Sequence, residues 1–439
     1  MEKFTNAHIH VFTGDCAPDS FLKVIPISLV RKFPRRLKWL IQTRGVRSLI
    51  VWFASWGSRR DAQLRNTVEK YISFLEIGTT ATQLEIFIKG FKVAKSYSAS
   101  PRIVALPLDM DYMDEDQEIV MNYNTQLKDV KRIKKYYPDN FFPFLCVDPR
   151  KHQGENMLRW ARKFFTRGIR SKESEKVHPF FSGIKIYPAL GFFPFDPALD
   201  ELYAFAEEHG LPVMSHCTRV GSQYVGKNIR SLIPQQPAMI GVPGHPDYEQ
   251  ARQEIIDRIA RYDEKGWLKY TTAKNNDYAC DLFGHPQNYV PVLLKYPRLK
   301  ICLAHMGGYS EILKLKKGPD EVQEVDQKNW FGLIKEMMQQ YPNFYTDISY
   351  TLSGLQAHKK LSRADARFIR SEINAFLDTP VQSTGEADEP IGKRVLFGTD
   401  FYMTEQEARE PELYQMAREH LPQWFKRMAG ENCERYLGF

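Results

Sequence analysis

Apolar residues gather along the chain in short runs rich in β-branched and aromatic side chains. Eight can be read: Phe4 to Phe12, Arg102 to Leu108, Phe141 to Val147, Gly183 to Tyr187, Leu211 to His216, Leu299 to His305, Asn343 to Ile348, and Arg394 to Asp400. Most are too uniformly apolar for strict alternation, as expected of parallel strands covered on both faces. Segments of helical period separate several of them. In Asp196 to His209, Asp196 is placed to cap and Pro197 suits the first helical position, while Leu199, Leu202, Tyr203, Phe205 and Ala206 form an apolar stripe. Gly210 then stops the helix and Leu211 opens the next strand. Eight strands alternating with helices predict an α/β fold, a (β/α)8 TIM barrel.

Two connections are longer than such a barrel needs: residues 13–101 after the first run and 217–298 after the fifth. Helical periodicity at 61–75 and 80–93 fills part of the first. Both are expected to be insertions at the C-terminal face, where they would wall a pocket. A separate N-terminal domain is the alternative for the first, but His8 and His10 lie ahead of it, which argues against a clean boundary. The expectation is one domain spanning residues 1–439, with an exposed loop at 378–392 before the last strand.

Composition narrows the class. With 439 residues and 43% hydrophobic content the chain can bury a large core, which excludes wholesale disorder and collagen-like structure. The longest apolar run, Leu49 to Ala54, falls far short of the roughly 18 residues that a membrane span requires. Met1-Glu2-Lys3-Phe4 leads directly into a strand with no apolar signal region, which points to the cytoplasm. The net charge of +8 is spread over 61 basic and 53 acidic residues. One compact basic cluster, Arg31, Lys32, Arg35, Arg36 and Lys38, has no nucleic-acid motif beside it and reads as a solvated face. No nucleic-acid or membrane partner is therefore expected. The six cysteines show no CxxC spacing, and Cys146, Cys217 and Cys302 sit in or beside apolar runs as small hydrophobes.

Chemistry enters at the ends of the runs. The first carries His8-Ile9-His10, whose imidazoles share one face of a strand of period two. The fifth ends in His216, the sixth in His305 and the eighth in Asp400. Strand ends at the C-terminal face of a barrel converge on one pocket, and a cluster of His and Asp there suits Zn²⁺ or another divalent first-row metal. A lone histidine at a strand end is more often structural, and Asp400 after Gly-Thr could simply cap a helix. Four such ends in barrel order are an improbable accident.

These residues and their surroundings resemble the amidohydrolase superfamily, specifically its amidohydrolase-related branch of metal-dependent decarboxylases, hydratases and lactonases. Gly183-Ile-Lys-Ile-Tyr-Pro188 is similar to the family's fourth-strand motif and Leu211 to His216 to its fifth. Gly284 to Asn288 and Tyr296 to Gly308 resemble the run into the sixth, Asn343 to Ser349 the seventh, and Leu396 to Asp400 the eighth. Ala429 to Phe439 is similar to the family's terminal Gly-Glu-Asn…Leu-Gly pattern. Asn6 departs from the family, whose members commonly carry an acidic residue before HxH.

The resemblance implies that His8, His10, His216 and Asp400 bind one divalent metal ion, Zn²⁺ ahead of Mn²⁺ or Fe²⁺. It implies that Asp400 and His305 are catalytic, as base and as electrophile or acid–base group. Lys185 is read as unmodified; its carbamylation to bridge a second metal is the alternative. Lys185, Arg219 and His285 are candidates for binding substrate, Arg219 by gripping a carboxylate. Asp347 is expected to support His305, His245 to stay out of the pocket, and Trp52, Trp56, Phe192 and Phe193 to be core or pocket-wall aromatics. The expected activity is hydrolysis of an amide, ester or lactone of a small, carboxylated substrate. Non-oxidative decarboxylation of an aromatic or unsaturated acid is the runner-up, and a non-catalytic metal-binding barrel comes third. A homodimer is the assembly expected of such enzymes.

Overall fold

The computed structural model describes residues 4–19, 21, 70, 73–78, 81–114, 118–151, 157–219, 221–226, 228–234, 237–268, 277–317, 328–358, 361–381 and 389–438. Its strands are β1 (Thr5–His10), β2 (Arg102–Leu106), β3 (Phe141–Val147), β4 (Gly168–Arg170), β5 (Val177–Pro179), β6 (Gly183–Ile186), β7 (Val213–Ser215), β8 (Ile301–Leu303), β9 (Phe344–Asp347) and β10 (Val395–Leu396). Eight of them form one parallel sheet in the order β1-β2-β3-β6-β7-β8-β9-β10. β4 and β5 make a separate antiparallel hairpin that the sequence pattern did not announce. Beyond β10 the chain returns to β1: Ala7 N donates to Phe397 O (2.8 Å) and His10 N to Phe401 O (2.7 Å). Helices surround the sheet, and the architecture is the expected (β/α)8 TIM barrel.

Register decides which side chains enter the barrel. An inner apolar cluster draws Ala7, Val104, Phe144, Met214, Cys302, Tyr345 and Leu396 from successive strands. Residues in register across parallel strands face the same way, so Lys185, paired with Met214, points inward, and so does Asp347, paired with Leu396. The C-terminal helix Glu431–Leu437 adds Cys433, Tyr436 and Leu437 to this cluster, and the Tyr436 hydroxyl donates to Val213 O (2.9 Å). That helix closes the N-terminal end of the barrel and leaves the polar layer at the other.

Local rules hold where helices were expected. Asp196 accepts a hydrogen bond from Ala198 N (2.9 Å) and starts a 3-10 turn, Pro197–Leu199, that runs into the helix Asp200–Glu208. The 80–93 segment becomes Gln83–Lys95, opened by a capping box between Thr82 and Glu85. The chain between β7 and β8 carries the helices Pro246–Glu264, Asp277–Phe283 and Val290–Lys295. The Arg31–Lys38 cluster, Trp52 and Trp56 lie outside the described residues, as does most of 61–75. All six cysteines are buried and none forms a disulfide. No helix among the described residues is long and apolar enough to cross a membrane.

Candidate metal centre

Three chain segments bring the site together. β1 delivers His8 and His10, both buried, with ring centroids 5.2 Å apart. The pairing of β1 with β2 shifts register between Asn6 and Ile9, yet the two imidazoles still share one pocket. The sixth apolar run does not reach His305 as a strand. It ends at Leu303, and His305 sits in a tight turn at φ +74°, a left-handed backbone that a histidine rarely adopts. The eighth run likewise leaves the sheet after Leu396, and Asp400 adopts φ +58° while its N–H donates to His8 O (2.9 Å). Its carboxylate Oδ1 then lies 3.0 Å from His10 Nε2 and 3.4 Å from His8 Nε2.

Hydrogen-bond partners assign the protons on the rings. His10 Nδ1 faces the Leu106 carbonyl (3.3 Å) and must carry the hydrogen. His8 Nδ1 faces Asp347 Oδ2 (2.8 Å) and must do the same. His305 Nδ1 lies against Ser349 O (3.3 Å) and Ser349 Oγ (2.9 Å), so its hydrogen is also on Nδ1. That leaves His305 Nε2 as an acceptor, to which His216 Nδ1 donates (3.1 Å). His216 Nε2 in turn accepts from the Thr218 hydroxyl (3.0 Å). Every one of these histidines therefore presents its lone pair on Nε2.

The consequence is a point of lone-pair convergence. On this assignment His8 Nε2, His10 Nε2 and Asp400 Oδ1 face one another as acceptors, and His8 Nε2 has no hydrogen-bond partner among the described residues. Buried acceptors at such distances need a cation. A second cluster, His8, His305 and Asp347, is also close enough to hold an ion. There, however, donors already fill the carboxylate: Asp347 Oδ1 accepts from His305 N (2.9 Å) and Ser349 N (3.0 Å), and Oδ2 from His8. The His8, His10 and Asp400 set fits a divalent metal; the Asp347 set is a hydrogen-bonded support.

Electrostatics keep the imidazoles neutral, the form in which they bind metal. Burial, reinforced by the charge of Lys185, holds the His8 pKa well below the usual imidazole range. Burial, with His8 and His216 nearby, does the same to His305. Burial pushes the Asp400 carboxyl up, and the neighbouring Asp347 adds to the rise. Lys185 is wholly buried, its amine pKa lowered by burial, and its Nζ has no hydrogen-bond partner among the described residues.

The structure separates the remaining expected residues. His216 stands beside His305, stacked on Tyr187 at 4.4 Å and 10°, and is not among the convergent ligand atoms. Arg219 was expected to be able to grip a carboxylate, but its guanidinium is committed elsewhere. Nε donates to Glu311 (3.0 Å), Nη1 to Asp281, and Nη2 to Lys328 O (2.9 Å), with the Trp330 ring at 4.7 Å. His285 is buried and caps a 3-10 turn, accepting from Gln287 N (3.2 Å) with its ring edge-on to Trp330. His245 caps the helix Pro246–Glu264. Phe193 stacks on Phe195 in the core, and Phe192 is buried with it. Sequence reasoning missed Ser349, Thr218 and Tyr187 as contacts of the histidines. Ser349 was the findable one, since it stands two residues after Asp347.

A family model described as amidohydrolase matches residues 108–439. The chain belongs to the amidohydrolase family. The matched segment holds Lys185, His216, His305, Asp347 and Asp400, whereas His8 and His10 precede it. Amidohydrolase-superfamily enzymes, decarboxylases and hydrolases among them, bind a divalent metal, the class of ion that the lone-pair set of this amidohydrolase fits. No curated protein matches this chain. Among solved structures it is similar to the 5-carboxyvanillate decarboxylase of Novosphingobium aromaticivorans with manganese, at TM-score 0.40 and 12% identity over 100% of this chain and 96% of that one. It is also similar to 2,6-dihydroxybenzoate decarboxylase from Rhizobium, at TM-score 0.41 and 12% identity, covering 100% and 99%. A probable 2-pyrone-4,6-dicarboxylic acid hydrolase of Acinetobacter baumannii scores 0.41 at 9% identity, covering 80% and 88%.

Proposed function

We propose that this amidohydrolase is a metal-dependent hydrolase acting on an amide, ester or lactone of a small carboxylated molecule. The observation that carries the reading is the meeting of two buried imidazole nitrogens, His8 Nε2 and His10 Nε2, with Asp400 Oδ1 at 3.4 and 3.0 Å. One ion held there, Zn²⁺ ahead of Mn²⁺ or Fe²⁺, would supply a Lewis acid that lowers the pKa of water and polarises a carbonyl. His216, with its lone pair on Nε2, is the candidate for a further ligand. Asp400 accepts the proton of the attacking water, and its place against His8 and His10 holds its oxygen in position. His305, its ring fixed by Ser349 and its Nε2 an acceptor that faces His216, receives or returns a proton on the substrate side.

Lys185 supplies the substrate class. A buried amine with no hydrogen-bond partner gains most from a carboxylate that enters with the substrate. Its cation favours hydrolysis over loss of that carboxylate, because it holds the negative charge where decarboxylation must move it away. Decarboxylation is the second reading, since His305, its ring fixed beside the site, can also deliver a proton to carbon. The test is a panel of esters, lactones and amides, each with and without a carboxylate, on metal-loaded protein. Lys185→Met is expected to raise KM at least tenfold for the carboxylated members and to leave the uncharged ones within twofold. Release of CO₂ without hydrolysis would replace the first reading by the second.

A further inference from the structure

We infer that Asp347 and Ser349 form one positioning unit that sets two histidines of different function, His8 among the metal ligands and His305 at the acid–base position. The inference rests on the metal reading above and deepens it. Asp347 ends β9 and divides its two oxygens between tasks. Oδ2 takes the Nδ1–H of His8 (2.8 Å), which turns His8 Nε2 towards Asp400. Oδ1 takes the backbone N–H of His305 (2.9 Å), the residue held at φ +74°. That hydrogen bond ties the left-handed turn to β9 and so directs the His305 ring into the site.

Ser349 closes the unit. Its N–H (3.0 Å) and its hydroxyl both donate to Asp347 Oδ1, so the hydroxyl oxygen is left as an acceptor. That oxygen lies 2.9 Å from His305 Nδ1 and 3.2 Å from His8 Nδ1. A single hydroxyl thus sees both rings and accepts a hydrogen from Nδ1, never from Nε2. The carboxylate is needed for its two acceptor oxygens: an amide at 347 would turn an NH₂ towards either His8 Nδ1–H or His305 N–H, and donor would face donor. Asp347 and Ser349 are positioning residues, since they act on the reacting groups through the histidines.

The experiment uses the full chain with Asp347→Asn and Ser349→Ala, and substrate plays no part in it. The metal-free proteins, labelled with ¹⁵N in histidine, report by NMR which ring nitrogen of each imidazole carries hydrogen. Competition with a chelator then gives their affinity for Zn²⁺ and Mn²⁺. Asp347→Asn is expected to lose the Nδ1–H form of His8 and to bind metal about 10–100-fold more weakly. Ser349→Ala is expected to change the His305 signal, to leave His8 in its Nδ1–H form, and to bind metal within about threefold of wild type. If Asp347→Asn does not fold, the Ser349→Ala spectrum decides alone, and an unchanged His305 signal overturns the inference. Wild-type affinity in Asp347→Asn with His8 still in its Nδ1–H form also overturns it. Wild-type protein that binds neither metal would instead remove the metal reading, a separate outcome.

Discussion

Asn6, two positions before His8, shows how a single residue couples the site to its surroundings. Its Nδ2 lies 2.8 Å from Thr399 Oγ1, 3.3 Å from Glu410 Oε1 and 3.0 Å from the Tyr414 hydroxyl, while its Oδ1 accepts from His8 N (3.2 Å). Thr399 Oγ1 also donates to Glu410 Oε1 (2.8 Å), and Glu410 Oε2 has no partner among the described residues. Burial pushes the Glu410 carboxyl well above its ordinary 4.5, so the folded protein holds a proton there that the unfolded chain releases. A raised carboxyl contributes stability that is lost as pH rises from 4.5 through the folded pKa. Glu410→Gln removes this term, so its melting temperature relative to wild type should climb between pH 4.5 and pH 8. An offset that stays flat across this range in thermal unfolding would show that Glu410 is not held protonated. Nothing in the sequence links residue 410 to residue 6, because the contact is made only when the barrel closes.

At the scale of elements, the strands were legible, and β3 matches its run at both ends, whereas the ends that carry His305 and Asp400 were not. Apolar runs marked all eight strands because each is buried on both faces. The last run spans Arg394 to Asp400 in the sequence, whereas the strand itself is Val395–Leu396 and the chain then continues irregularly against β1. Gly398 explains the difference. A side chain there would stand 2.6 Å from His8 Cβ and 3.2 Å from His8 N, so the chain passes β1 at a distance that only glycine allows. Gly398→Ala is therefore expected to cost about 1–3 kcal/mol of stability, typical of overpacking. It should also weaken metal binding by displacing His8. Urea unfolding and metal titration check the two effects, and a variant with unaltered affinity would mean that the approach does not govern His8. Sequence likewise placed His305 on a strand end, because propensity says nothing of a left-handed turn secured by Asp347, 42 residues on.

For the molecule as a whole, the division of labour follows the barrel axis. The helix Glu431–Leu437 and the inner apolar cluster fill the N-terminal end, and the histidines and carboxylates occupy the C-terminal end. HxH and Asp400 were readable as partners because a barrel brings strand ends together whatever their separation in sequence. Arg219 was not readable, since its partners Asp281 and Glu311 come from segments with no motif of their own. The central claim is that three lone-pair atoms from residues 8, 10 and 400 meet to hold one divalent ion. Elemental analysis of purified protein, before and after chelation, on wild type and on His8→Ala, tests it most directly. The account predicts close to one equivalent of Zn or Mn in wild type, removed by chelation and missing from His8→Ala, with both proteins folded. Wild-type protein expressed with ample metal yet containing none, or His8→Ala retaining a full equivalent, would contradict it.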